Sequence, residues 1–133
     1  MILVDSSVWI DYFRGDRNKY TDRLDISLQS ADEDLAVADL VVFEVMRGFS
    51  RPAEKRRAHQ LLTTLDVVEI GGLENALRAA EHYLELRAQG YTIRSPIDIL
   101  LASYCITHKH LLLHRDADFD VMETMRGLKV WTH

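Results

Sequence analysis

The chain has 133 residues, of which 47% are hydrophobic and 28% are charged, a composition that is typical of a globular domain and excludes a disordered chain. Its 21 acidic residues outnumber its 16 basic residues, and this excess by itself disfavours a nucleic-acid partner. The single cysteine, Cys105, excludes a framework of intrachain disulfides, and the lack of an 18-residue apolar run excludes a membrane span.

The length predicts that residues 1–133 form a single domain. The first five residues contain no basic residue and end in an acid, so we expect no signal peptide. One unpaired cysteine is typical of a reducing compartment, and we therefore expect the protein in the cytoplasm.

Short apolar segments alternate with longer helical patterns along the chain. The short apolar segments predict strands at residues 2–4, 35–38, 67–70, 111–113 and 129–131. The segments between them predict helices over residues 8–13, 17–31, 40–48, 52–65, 73–89, 96–109 and 118–125, with Ser7 capping the first and Asp39 the third. This alternation predicts an α/β fold with three layers, in which helices cover both faces of a short, mostly parallel sheet of about five strands.

Acidic residues follow two of the predicted strands. Asp5 comes directly after the first, and Asp116 and Asp118 come shortly after the fourth. Ligands of parallel α/β sheets bind at the carboxyl ends of the strands, so these acids are candidates for a site. Taken singly, an acid after a strand is also an ordinary feature of a polar loop.

Two further acids lie in helical segments. Glu44 stands in a stretch that is apolar on all sides, where an ionised carboxylate has to be paired or to bind a metal. Arg47, three residues later, is a possible partner, so pairing and a site role both remain open. Asp98 matches a capping box with Ser95, but it also shares a helix face with apolar residues, and the spacing alone does not choose between capping and catalysis.

Carboxylates that converge on one point repel each other, and a divalent cation removes that penalty. Oxygen ligands alone select hard cations such as Mg²⁺ or Mn²⁺. The chemistry that such a site indicates is metal-assisted attack of water on a phosphodiester, with one ion or two.

Four segments together resemble the signature regions of PIN-domain nucleases, and the small size of the chain is similar to that of the VapC toxins within that family. The segments are Val4-Asp5-Ser6-Ser7-Val8-Trp9-Ile10, Glu44-Val45-Met46-Arg47-Gly48, Ser95-Pro96-Ile97-Asp98-Ile99-Leu100-Leu101-Ala102 and Asp116-Ala117-Asp118-Phe119. The resemblance implies a single PIN domain with Mg²⁺- or Mn²⁺-dependent endoribonuclease activity. It implies that Asp5, Glu44, Asp98 and Asp116 are the catalytic and metal-binding acids. It also implies that Asp118 helps to hold a metal ion and that Ser7 supports the site.

The resemblance further implies two kinds of protein partner. VapC toxins pair with a small DNA-binding antitoxin, called VapB, that covers the active groove, and they usually form homodimers that assemble into heterotetramers or larger complexes with it. One departure stands out, because His114-Arg115 occupies a place where many members of the family carry a threonine. His114 is either a proton donor near the leaving group or a structural residue.

Basic residues are concentrated in one segment of this acidic chain. Residues 46–60 hold five basic residues and one acid. This segment is either a solvated helix face or an anion-binding patch. The candidates for contacts with RNA phosphates are Arg47, Arg51, Lys55, Arg56, Arg57 and Arg115.

Two other functions compete with a nuclease. A degenerate nuclease fold would bind RNA or an antitoxin without cutting, and the loss of one of the four acids would be its sign, but none is lost. A phosphoacceptor receiver domain also has acids after its first strand. It needs an Asp after its third strand and a Lys after its fifth, whereas this chain has Glu69-Ile70-Gly71-Gly72 and Trp131-Thr132-His133 there.

Overall fold

The computed structural model describes residues 1–131 and contains a parallel sheet of four short strands. The strands are β1 (Ile2–Val4), β2 (Leu35–Ala38), β3 (Asp66–Val68) and β4 (Leu111–Leu113). Their order across the sheet is β3-β2-β1-β4, and every neighbouring pair is parallel. The chain therefore moves outward on one side of β1 and then returns to its other side, which puts the topological switch point between β1 and β4.

Seven helices connect and follow these strands in the described part of the chain. They are α1 (Ser6–Arg14), α2 (Lys19–Gln29), α3 (Asp39–Arg47), α4 (Pro52–Leu62), α5 (Leu73–Ala88), α6 (Pro96–His108) and α7 (Ala117–Arg126). Helices α1, α2, α3 and α4 pack on one another, and α6 packs on both α5 and α7. Right-handed crossovers put these two groups on opposite faces of the sheet, which gives the predicted three layers.

The apolar strands are buried between the two helical layers. All four residues of β2 are buried, as are Leu3, Val4, Leu112 and Leu113 of the neighbouring strands. On one side Trp9 of α1 is fully buried and stacks on Phe13, with 5.8 Å between ring centroids. This core fixes the ends of β1 and β4, where the candidate site lies.

Apart from element bounds that shift by up to three residues, the structure corrects three details of the sequence-based prediction. The segment at 129–131 makes only an isolated parallel bridge between Leu112 and Val130, so the sheet has four strands among residues 1–131 instead of about five. Helix α1 is capped by Asp5 rather than Ser7, because the Asp5 side chain accepts the Ser7 amide hydrogen bond. Helix α3 begins at Asp39 itself, whose Oδ1 accepts hydrogen bonds from the amides of Leu40 and Ile70.

The strand order also bears on the receiver-domain alternative. Doubly wound domains of the flavodoxin-like type, which include receivers, have the order 2-1-3-4-5, with the third strand beside the first. Here β1 lies between β2 and β4, and β3 is an edge strand, so a residue after β3 cannot take the acceptor position. Thr132 and His133, in the segment examined for a receiver lysine, lie outside the described residues.

No helix within residues 1–131 is both long enough and apolar enough to cross a membrane.

Candidate functional site

The carboxyl ends of β1 and β4 lie side by side and deliver the first candidate acids. Val4 is in register with Leu113, and the amide of Asp5 donates to the Leu113 carbonyl at 3.0 Å. Asp5 thus follows directly from the sheet, and Asp116 comes three residues after the end of β4. Both carboxylates also cap helices, since Asp5 accepts from the Ser7 amide and Asp116 accepts from the Asp118 amide at 3.0 Å. The caps fix both side chains at the switch point of the sheet.

Asp98 is brought to the same place by the first turn of α6. One carboxylate oxygen from each of Asp98, Asp116 and Asp118 lies within 4.8 Å of the other two. Of the two hydrogen bonds of a capping box, the structure has the one from the Asp98 amide to Ser95 Oγ, at 3.4 Å. The reciprocal bond, from the Ser95 amide to the Asp98 carboxylate, does not occur within residues 1–131, and that carboxylate lies beside those of Asp116 and Asp118 instead.

Asp98 is the electrostatic centre of the group. Its burial, at 9% exposed, and the negative charges of Asp5, Glu44, Asp116 and Asp118 raise its pKa from 3.8 to about 8. Asp5 is 3% exposed, and burial likewise raises the pKa of its carboxyl, against the lowering effect of its hydrogen bonds from Ser7. The other four predicted acids are therefore close enough to act on Asp98, and the mutual repulsion of the five is a cost that a bound cation removes.

Glu44 is the acid whose surroundings fit a cation most clearly. Its Oε1 atom is buried and has no hydrogen-bond partner within residues 1–131. The alternative partner, Arg47, is exposed, and its guanidinium lies over the Phe43 ring at 5.2 Å from the centroid. A buried carboxylate oxygen without a proton donor is expensive, so a cation at this position fits the donor set.

Ser7 and His114 support the acids rather than adding charge. Ser7 Oγ donates to Asp5 Oδ2 at 2.5 Å. His114 is 9% exposed, packs on the Phe119 ring at 4.9 Å between centroids, and accepts the Asp116 amide hydrogen bond at Nδ1, at 3.2 Å. Burial lowers the pKa of His114, which agrees with its role as an acceptor. This geometry makes His114 a hydrogen-bond acceptor for the backbone of Asp116.

The residues predicted to bind RNA phosphates do not form one cluster, and each is described by its own contacts. Lys55 and Arg56 line a groove of about 330 Å³ on α4, with Met46 and His59 in its wall. Arg51 is exposed and lies 4.0 Å from Glu54. Arg47 and Arg57 are also exposed.

Arg115 differs from the other basic residues because its guanidinium is already engaged. It makes an ion pair with Asp11, a residue that the sequence analysis did not select. Asp11 is 8% exposed on α1, and the signal that could have found it is the one used for Glu44, a single acid among apolar helix residues.

Comparison with known proteins agrees with this geometry. A family model described as "PIN domain" matches residues 2–124. The chain is similar to "VapC ribonuclease Mb1587" of Mycobacterium bovis and to "Ribonuclease VapC11" of Mycobacterium tuberculosis. It is 29% identical to each over 129 residues, which cover 97% of this chain and 96% of theirs.

Solved structures share the fold. FitAcB from Neisseria gonorrhoeae superposes with a TM-score of 0.76 at 19% identity, over 99% of this chain and 97% of that one. VapBC2 from Rickettsia felis, bound to a DNA fragment from its promoter, superposes with a TM-score of 0.74 at 18% identity, over 99% of this chain and 100% of that one.

Proposed function

The chain belongs to the PIN domain family, and from that premise we propose that it is a VapC-type toxin that cleaves RNA phosphodiester bonds with a divalent cation. The observation that carries the proposal is the convergence of Asp5, Glu44, Asp116 and Asp118 on Asp98, whose pKa is raised to about 8. The curated relatives named VapC ribonuclease support the RNA substrate. The buried Glu44 oxygen without a donor supports the cation.

In this proposal Asp98, Asp116 and Asp118 hold a Mg²⁺ or Mn²⁺ ion, and Asp5 and Glu44 complete its surroundings or hold a second one. When bound there, the cation supplies Lewis acidity that lowers the pKa of water and offsets charge on the phosphate. The protein residues have the other tasks. Ser7 orients the Asp5 carboxylate through its 2.5 Å hydrogen bond. None of the site residues has to act as a covalent nucleophile.

We also propose a cytoplasmic toxin that is inhibited by a small DNA-binding antitoxin of the VapB type and forms homodimers. Solved structures with this fold include a toxin–antitoxin complex from Klebsiella pneumoniae, and three others contain DNA. Leu73, Leu77 and Leu84 of α5 support a partner chain, because they are 77%, 60% and 63% exposed and follow helical spacing. Exposed apolar side chains grouped in this way are typical of a protein–protein interface.

The decisive test is metal-dependent cleavage by the purified chain. Transfer, ribosomal and messenger RNA are each end-labelled, and we expect at least one of them to be cut with Mg²⁺ or Mn²⁺ and EDTA to stop cleavage. Asp5→Asn is expected to lose at least about 100-fold in rate and to relieve growth arrest on expression. Sequencing the new RNA ends identifies the target. Cleavage at the same rate in EDTA, or by Asp5→Asn, contradicts the mechanism, and RNA binding without cleavage favours the degenerate binding module.

A second prediction concerns the basic groove on α4. Lys55→Glu combined with Arg56→Glu is expected to weaken RNA binding by about tenfold and to flatten its salt dependence, because two phosphate contacts are lost. The affinity for Mn²⁺ is expected to stay the same. Lys109→Glu is the control, since Lys109 is exposed and lies before the amino end of β4, whereas the acids lie at its carboxyl end. Equal RNA affinity of the double variant and wild type rules out this groove as the phosphate site.

A further inference from the structure

Arg115 and Asp11 form an ion pair that joins the loop before Asp116 to helix α1. Arg115 Nε lies 2.8 Å from Asp11 Oδ2, and Nη2 donates to Oδ1 at 3.3 Å. The Asp11 side chain is 11% exposed and that of Arg115 is 45% exposed. Because the guanidinium is planar and both of its bonds go to one carboxylate, this pair fixes orientation as well as distance.

Each residue of the pair lies in a segment that also contains an acid of the site. Helix α1, which carries Asp11, begins at the cap formed by Asp5. Arg115 is adjacent to Asp116, which caps α7. The pair therefore connects two segments whose capping carboxylates are both part of the acidic cluster, across 104 residues of sequence.

The other side-chain contacts of this loop are local. His114 Nδ1 accepts the Asp116 amide, and Asp116 Oδ1 accepts the Asp118 amide. The backbone bond from the Asp5 amide to the Leu113 carbonyl, at 3.0 Å, fixes the start of the loop beside the start of α1. The ion pair adds a side-chain link further along α1, and it explains why a nearly buried acid stands at Asp11.

We propose that Asp11 and Arg115 are positioning residues, which hold the Asp116 carboxylate at the correct separation from Asp5 and thereby set the affinity of the cluster for a divalent cation. This inference rests on the proposed function, since it concerns the same acids. In this proposal Arg115 positions the loop and does not bind an RNA phosphate, because its guanidinium faces Asp11. Partners that orient metal ligands contribute about 10-fold to 100-fold to metal affinity in other proteins.

Asp11→Asn separates the two roles of Arg115. If Arg115 positions the loop, removing the charge of Asp11 weakens metal binding although Asp11 itself touches no RNA. If Arg115 binds phosphate, the same change frees its guanidinium, so RNA affinity rises or stays constant and metal affinity is unchanged.

The experiment is a titration of the purified full-length chain with Mn²⁺, in which electron paramagnetic resonance measures the free ion. Asp11→Asn and Arg115→Met are each expected to weaken Mn²⁺ binding by about tenfold. Arg115→Lys, which keeps Asp11 paired and the fold intact, is expected to weaken it by about threefold, since it lacks the two-point contact. Glu33→Gln is the control, because it breaks the Arg23–Glu33 pair of 2.7 Å, and Glu33 lies just before the amino end of β2, whereas the acids lie at the carboxyl ends of the strands.

The outcomes separate this inference from the proposed function. Wild-type chain that does not bind Mn²⁺ overturns the proposed metal site and the inference with it. Wild type that binds Mn²⁺ while folded Asp11→Asn or Arg115→Lys binds it equally well overturns only the positioning role. Equal weakening by Glu33→Gln also overturns it, because the effect would then be a general loss of stability, which thermal melting of each variant measures in parallel.

Discussion

Asp98→Asn is expected to abolish RNA cleavage while making the metal-free protein more stable. Activity is lost because Asp98 belongs to the group of three acids within 4.8 Å of one another and is the acid on which the other four act. A loss of at least about 1,000-fold in cleavage rate is expected, since the substitution removes a charged metal ligand. Stability rises because the same carboxylate is buried among negative charges.

The gain in stability has a defined pH dependence. The pKa of Asp98 is raised from 3.8 to about 8 in the folded chain, so folding at neutral pH takes up a proton that the unfolded chain does not bind. The contribution of Asp98 is therefore complete below about pH 4 and is lost as the pH rises towards 8. Asparagine does not ionise, so the variant does not lose stability in this way as the pH rises. The free energy of unfolding of the variant is expected to equal that of wild type near pH 4 and to exceed it by on the order of 2–4 kcal/mol at pH 8.

Urea unfolding at several pH values, with EDTA present, measures this difference. Asp120→Asn is the matched control, because Asp120 is an exposed acid on α7 that lies two residues after Asp118. It is expected to retain activity and to leave stability within about 0.5 kcal/mol of wild type. A constant difference between Asp98→Asn and wild type from pH 4 to pH 8 would falsify the electrostatic account of this site.

The fold was largely predictable because its strands are short, apolar and clearly bounded. Strands at 2–4, 35–38 and 111–113 have the predicted limits, since each is followed at once by a polar or capping residue. The prediction of a strand at residues 129–131 was wrong. Its pairing with β4 is confined to the bridge at Val130, a tertiary contact that no local pattern of residues specifies.

The helix caps were harder to predict than the helices. Ser7 and Asp5 are both good capping residues two positions apart, and only the tertiary position of β1 decides between them. Asp39 was assigned as a cap, but its carboxylate also bonds to the Ile70 amide after β3, a partner 31 residues away. Long-range hydrogen bonds of this kind override local preference.

The acids of the site could be predicted from their residue type and their place in the sequence. The residues that act on the site through another side chain could not. The five acids were candidates because each follows a strand or lies in a helix beside apolar residues, and the resemblance to PIN-domain nucleases joined them into one set. Whether Asp98 only caps α6 was open, and the structure favours the site because the Asp98 carboxylate makes no capping bond within residues 1–131. The link between Asp11 and Arg115 was missed, since no pattern along the sequence connects two residues so far apart.

Binding of Mn²⁺ is expected to tighten by about tenfold for each pH unit between pH 6 and pH 7.5 and to level off above pH 8. The raised pKa of Asp98 is the cause, because below pH 8 the cation has to displace the proton from this carboxyl before it can bind. The pKa of Asp5 is also raised by burial, so at least one proton is expected to leave for each ion bound.

Calorimetric titration under argon, in two buffers with different ionisation enthalpies, counts these protons directly. Asp98→Asn is expected to bind Mn²⁺ more weakly and with a shallower pH dependence, because the group that releases the proton is absent. Asp120→Asn is expected to behave like wild type, since it leaves the cluster of Asp98, Asp116 and Asp118 unchanged. Wild-type affinity that stays constant from pH 6 to pH 8 would mean that the metal-free site holds Asp98 ionised. The repulsion among the five carboxylates would then have to be relieved by something other than a proton.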